Sequence, residues 1–287
     1  MRPRARGRIL KSMRISLFGV GELGHALLSG WLAAGVPSAD IRGVERDDRA
    51  AAQIEATLDV RMVSALEAAE DADTVVLAVP AEAVPDLLTA IGARLDPDCL
   101  VLSLAAGVPI ALMERYLPER TPVVRAMPNT AVSAREGMCV LSSGPDADEE
   151  HVLRAEQLLR PVGEVIRVPE DQQDVAAALS GSGPAYFYEI FDHMIRAGMR
   201  LGVTEEAAGL MVVQAAQGAV AMLQGTRRSP AHLREAVATP GGTTQAALAV
   251  LREHGVGTAV ESAVRAGALR SAEVGDELWA SARLSRG

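Results

Sequence analysis

Two turns built from glycines and hydroxyl side chains stand out in the sequence. Ala238-Thr239-Pro240-Gly241-Gly242-Thr243-Thr244 and Leu179-Ser180-Gly181-Ser182-Gly183-Pro184-Ala185 each lead into an apolar helical pattern. Backbone N–H groups left free at a helix start, joined by hydroxyls, suit a small anion such as a carboxylate. Thr239, Gly242, Thr243 and Thr244 would form the cradle, with Ser180 and Ser182 as a second contact surface. Two plainer readings stand beside this one. Thr244 could simply cap the following helix, and the turn at Ser180 could be a kink caused by Pro184.

A third glycine-rich segment lies near the start. Arg14–Phe18 reads as a short apolar strand, Gly19-Val20-Gly21-Glu22-Leu23-Gly24 follows, and a helical pattern runs on through Trp31. Gly19 permits a tight turn, Gly21 lets backbone approach a pyrophosphate, and Gly24 lets helix pack closely on strand. The pyrophosphate would rest on the helix start at Glu22 and Leu23. About 20 residues beyond the glycines, Glu45 ends the second strand, where an acid accepts hydrogen bonds from an adenosine ribose and repels a 2′-phosphate. That favours NADH over NADPH. Arg46 beside it could partner a phosphate, so NADPH stays open; alternatively, Glu45 caps the next helix.

The elements that must position these groups follow from periodicity. Strands are expected at 40–44, 73–79, 100–103, 122–125, 137–142 and 164–168, with helical segments between the early ones. Continuous apolar runs such as Thr74–Val79 fit parallel strands covered on both faces. Beyond about residue 169 only helical patterns remain. One covers 174–201, a second opens with Thr204 as N-cap and runs through Leu223, and others cover 245–253 and 257–273. The fold class is therefore α/β. A disordered extension (1–12) precedes an N-terminal doubly wound dinucleotide-binding domain (13–169) and a C-terminal all-helical domain (170–287). The helix through Leu223 is apolar on nearly every face and demands cover, which points to a homodimer.

Composition excludes other classes. The net charge of −9 over 287 residues argues against a general nucleic-acid binder, which would need a basic face. The uncharged stretch 207–223 is short for a membrane span and carries Gln214 and Gln217. Cys99 and Cys139 lack metal-ligand or redox spacing and read as buried thiols in a reducing cytoplasm. The five histidines stand singly, and no metal site is expected. The only lysine is Lys11, outside any expected fold, so Schiff-base and lysine acid chemistry are disfavoured.

Together these motifs resemble the pyrroline-5-carboxylate reductases. The resemblance spans Met13 to about Val274. It rests on the glycine loop, Leu77-Ala78-Val79, Ser103-Leu104-Ala105-Ala106-Gly107-Val108, Arg125-Ala126-Met127-Pro128-Asn129-Thr130, Glu136-Gly137-Met138 and the two hydroxyl-rich turns. It implies a Rossmann domain, a helical dimerisation domain and an active site shared between subunits, often within a higher homo-oligomer. It further implies an imino acid substrate reduced by NADH or NADPH, with Thr244 meeting the ring nitrogen and Thr239 near the carboxylate. Ala78, Val79, Pro80, Ala105 and Asn129 fall in loops around the cofactor. Three departures are visible. Pro80-Ala81 replaces a common Lys-Pro, Arg227-Arg228 stands where an acid is common, and Glu45 replaces a small polar residue. Rival readings are a β-hydroxyacid dehydrogenase, which would need a lysine, a reductase of another cyclic imine, and a non-catalytic dinucleotide-binding protein.

Overall fold

The computed structural model describes residues 13–284, so the expected extension at 1–12 lies outside the described residues. Its strands are β1 (Ile15–Phe18), β2 (Ile41–Val44), β3 (Arg61–Met62), β4 (Thr74–Leu77), β5 (Leu100–Ser103), β6 (Val123–Met127), β7 (Gly137–Ser143) and β8 (Gly163–Arg167). Helices α1 (Glu22–Ala33), α2 (Asp48–Leu58), α3 (Ala65–Ala69), α4 (Val84–Ile91), α5 (Ile110–Glu114) and α6 (Glu149–Leu159) alternate with them. The remaining helices are α7 (Gln173–Ala176), α8 (Gly183–Arg200), α9 (Glu205–Thr226), α10 (Pro230–Val237), α11 (Thr243–Glu253) and α12 (Val256–Leu284).

The strands form one sheet in the order β3-β2-β1-β4-β5-β6-β7-β8, parallel except where β7 runs against β6. Strand order reverses between β1 and β4, and such a switch point opens a crevice at the carboxyl ends of the strands. Alternate residues serve opposite layers. Ile15, Leu17, Val76, Leu102, Val124 and Ala126 join one core cluster, while Phe18, Val75, Leu77, Val101 and Val123 join the other. Fully buried Trp31 donates its indole N–H to the Leu158 carbonyl at 2.6 Å, fastening α1 to α6. β3, two residues on the sheet edge, is too short to carry a pattern and was not expected.

The chain divides into two compact units. The first runs to Ser182 and resumes at Ala266; the second is Gly183–Arg265. The last helix continues beyond the expected end at 273 because Leu278, Trp279 and Ala282 pack on the first unit's core. In the second unit α8 and α9 pack closely: a Cβ on Gly198 would sit 3.2 Å from that of Ala208. Thr204 caps α9, accepting from the Ala207 N–H at 3.4 Å. Within one chain α9 is not covered all round. Ala208 and Val212 are buried, but Leu210 (71 % exposed), Met211, Val213, Val220 and Met222 face outward. By length and composition alone α9 could cross a membrane.

Candidate active site

The glycine loop follows β1 at the switch point. Gly19 has φ +87°, and a side chain there would meet the Ala78 carbonyl 2.6 Å away and Val79 at 3.0 Å. Ala78 and Val79 thus support the loop from the end of β4. A Cβ on Gly24 would overlap the Gly19 carbonyl, whereas one on Gly21 meets nothing within 4 Å. The loop is therefore tight below and open above. Gly21 is the N-cap of α1, and no side chain caps it; the first helical bond runs from the His25 N–H to the Gly21 carbonyl at 2.8 Å. The N–H groups of Glu22, Leu23 and Gly24 belong to that uncapped first turn, where the helix dipole favours an anion.

Glu45 does not cap α2; Asp47 does, accepting from the Arg49 and Ala50 N–H groups. Instead the Glu45 carboxylate reaches the glycine loop. Oε2 accepts from the Val20 N–H at 2.9 Å, and Oε1 from those of Arg46 at 2.7 Å and Asp47 at 3.3 Å. Partial burial pushes its pKa up, but the three N–H donors and the Arg46 charge outweigh it and hold the carboxyl below its ordinary value. It stays an anion, fixed at the mouth of the loop. The Arg46 side chain and Pro80 are exposed.

A cavity of about 390 Å³ continues from Glu22 and Leu23 to Met127, Asn129, Thr130 and Gly181. Asn129 builds its wall. Its Oδ1 accepts from the Ala131 and Met138 N–H groups, both at 3.2 Å, and its Nδ2 donates to the Ser180 carbonyl at 3.2 Å. A smaller cavity of about 220 Å³ shares Ala106 and Met127 with it and is bordered by Gly107, Ser182, Arg270 and Ser271. Ala105 is buried beneath, so Ala106 presents this segment to both spaces. Ala177–Gly181 is a π-helical turn, with the Ser182 N–H bonded to the Ala177 carbonyl at 2.8 Å. This turn stands where a kink was expected, while Pro184 lies in the first turn of α8; such bulges often mark functional positions. The Ser180 hydroxyl is buried and makes no hydrogen bond among the described residues. Uncapped amides, an open Gly21 face, an anionic Glu45 and an adjoining cavity fit a dinucleotide.

In the second unit the N-cap of α11 is Gly242, again without a capping side chain. Thr243 and Thr244 are therefore the first two helical residues, and Thr244 is not the cap. Gly241 has φ +73°, and a Cβ on Gly242 would lie 2.6 Å from the Thr239 hydroxyl, so glycine lets that hydroxyl lie over the helix start. The turn is closed by the Gly242 N–H on the Thr239 carbonyl at 3.0 Å and the Gly241 N–H on Gln245 Oε1 at 2.6 Å. Gln245 was missed by the sequence reading. Its signal was a Gln at the third helical position, where such side chains reach back over the cap. Arg227, with φ +54°, ends α9 before the Ser229 cap of α10. Burial raises the Cys99 and Cys139 thiols to about 12, so neither is a nucleophile.

Comparison with known proteins agrees with this architecture. A family described as "Pyrroline-5-carboxylate reductase dimerisation" matches residues 170–274, and one described as "NADP oxidoreductase coenzyme F420-dependent" matches 14–107. The pyrroline-5-carboxylate reductase of Pseudomonas aeruginosa is 37% identical over 271 residues, covering 94% of this chain and 99% of that one. That of Corynebacterium melassecola is 36% identical, covering 91% and 98%. A solved pyrroline-5-carboxylate reductase from Coxiella burnetii superposes with a TM-score of 0.86 at 34% identity, covering 92% of this chain and 98% of that one. The cofactor is accordingly a nicotinamide dinucleotide, and the exposed apolar helices belong to a dimerisation domain of a homodimer. The chain belongs to the pyrroline-5-carboxylate reductase family.

Proposed function

We propose that this chain reduces 1-pyrroline-5-carboxylate to L-proline in the cytoplasm, prefers NADH to NADPH, and works as a homodimer able to assemble further. Residues 13–169 serve the dinucleotide; residues 170–287 serve dimerisation and substrate. When bound, the dihydronicotinamide supplies a hydride to the imine carbon. The chain's own residues bind and orient. The amides of Glu22, Leu23 and Gly24 take the pyrophosphate, Glu45 takes the ribose, and Asn129 fixes the loop beside the nicotinamide end. The Thr243 and Thr244 amides and the Thr239 hydroxyl hold the substrate carboxylate. The Thr244 hydroxyl accepts a hydrogen bond from the protonated ring nitrogen, where the proton remains as the C=N electron pair becomes the amine lone pair. A pre-protonated iminium needs no general acid, so a site without lysine suffices, and orientation supplies most of the rate.

The observation that carries this reading is the start of α11, where an uncapped helix end lies beside two threonine hydroxyls. The test is imine-dependent oxidation of NADH and NADPH by the purified full chain, with proline identified by mass spectrometry. Turnover with both cofactors and a higher kcat/KM with NADH is expected. No turnover with either would sink the proposal.

A further inference from the structure

Arg125 is a charged side chain inside a sheet strand that no step above uses. It is 5% exposed, and burial pulls its pKa down against the opposing pull of Glu170 and Asp174. A guanidinium does not shed its proton in a protein, so the charge must be matched by neighbours. Arg125 Nη1 lies 3.5 Å from Glu170 Oε1, and that oxygen also accepts the Ile110 N–H at 2.7 Å. Four residues on, Asp174, in the first turn of α7, accepts the Ser271 hydroxyl of α12 at 2.6 Å. Between them Gln173, fully buried, donates to the Val140 carbonyl and the Ser142 hydroxyl; Ser142 is the cross-strand partner of Arg125.

The period of a strand gives this cluster a direction. Arg125 and Met127 point to the same face of β6, and Asn129 follows two residues further along the extended chain. Arg125 pairs with Glu170, just ahead of α7. Met127 Cε fills the space where a Cβ on Gly181 would come within 2.5 Å. Asn129 holds the Ser180 carbonyl. Residues 125, 127 and 129 therefore form a rail along which the segment from Glu170 to Ser182 is fastened at its start and at its end.

We propose that Arg125 is a positioning residue for the reduction. Through Glu170 and Asp174 it sets where the Ser180–Ser182 turn stands against the walls of the two cavities, and so the alignment of imine and nicotinamide. This rests on the reading that the turn borders the reacting ring. A misplacement of about 1 Å can lower kcat on the order of 100-fold without touching a reacting atom.

The test compares Arg125→Lys, Arg125→Met and Ser271→Ala in the full-length dimer. It measures kcat and KM for the imine, the Kd of NADH by its fluorescence, and Tm. The expected result for Arg125→Met is a fall in kcat of about 10- to 100-fold. Arg125→Lys should recover part of it, and Ser271→Ala should show a smaller change of the same kind. The NADH Kd should stay within about twofold, because the glycine loop is not part of the rail. Should Arg125→Met fail to fold, Arg125→Lys and Ser271→Ala decide. A lowered Tm with kcat and imine KM unchanged overturns the proposal. Ser180→Ala and Ser182→Ala separate the two ideas. If they leave kinetics unchanged, the turn is not at the ring and the proposal falls with it. If they alter kinetics while the Arg125 and Ser271 variants do not, only the rail fails.

Discussion

The two units of this chain solve the same problem, covering apolar surface, in opposite ways. The sheet unit closes its cores within one polypeptide. Its central strands β1, β4 and β5 are buried throughout, and Trp31 and Phe18 are out of contact with water. The helical unit does not: Leu210, Met211, Val213 and Val220 of α9 and Phe187, Tyr188 and Met194 of α8 remain exposed in a single chain. Contiguous apolar surface of this kind marks an interface. The first unit's stability is therefore a property of the chain, and the second's a property of the dimer.

The largest effect should come from breaking that difference directly. Leu210 and Val213 lie one turn apart on the outward face of α9. The double substitution Leu210→Asp, Val213→Asp places two carboxylates where a second subunit must pack, a burial that costs on the order of several kcal/mol. Sedimentation should show a monomer, circular dichroism a loss of helix, and the assay no turnover. NADH fluorescence should still report binding by the first unit. Loss of NADH binding together with the dimer would mean that the two units are not separable. The wild type supplies the complementary measurement, since melting of the helical unit should rise with protein concentration.

The reverse break is Gly24→Ala. The added Cβ overlaps the Gly19 carbonyl, so the loop and α1 must part. Overpacking of this kind costs about 1–3 kcal/mol, and NADH affinity should fall on the order of 10-fold or more. The dimer should survive unchanged in sedimentation. Smaller again, and confined to chemistry, is Thr244→Ala. Because Gly242 rather than Thr244 caps α11, removing this hydroxyl should leave Tm nearly unaltered. A drop in kcat of about 10- to 100-fold is expected for the loss of one positioned hydrogen-bonding group. A wild-type kcat would refute its role at the ring nitrogen.

How much of this was legible in the sequence also differs between the units. Strands buried on both faces announce themselves as apolar runs, and the expected strands lie within a residue or two of those found. β3 escaped because two edge residues carry no period. In the helical unit, α10 was not expected, although Ser229-Pro230 is a cap followed by a proline at the first helical position. The end of α12 lies beyond the expected one because Leu278 and Ala282, spaced by four, serve the core of the first unit. At the candidate site, glycine and threonine types singled out the segments, but the fastenings within them did not show. Asn129 on Ser180 and Glu45 on Val20 join groups whose pairing no local pattern specifies, whereas Gln245 on Gly241 follows from its third helical position.

Glu45 gives the smallest effect and the finest test of the sheet unit. Glu45→Ser removes the proposed ribose acceptor and also releases the Val20 N–H, whereas Glu45→Gln removes the charge and keeps one acceptor oxygen, which, turned to the Val20 N–H, leaves those of Arg46 and Asp47 without theirs. If the charge repels a 2′-phosphate, both variants should raise kcat/KM with NADPH relative to NADH by about 3- to 10-fold, roughly 1 kcal/mol. If the hydrogen bond to Val20 shapes the loop, Glu45→Ser alone should also weaken NADH. The sign of the pH dependence follows from the lowered pKa. A carboxyl held below its unfolded value contributes stability above that value and loses it only as pH falls through the lower, folded one. Wild-type NADH affinity should thus persist below the ordinary glutamate range and fade in more acid solution, while Glu45→Gln should lack that component. An unchanged cofactor ratio in both variants would mean that Glu45 fastens the loop without reading the ribose.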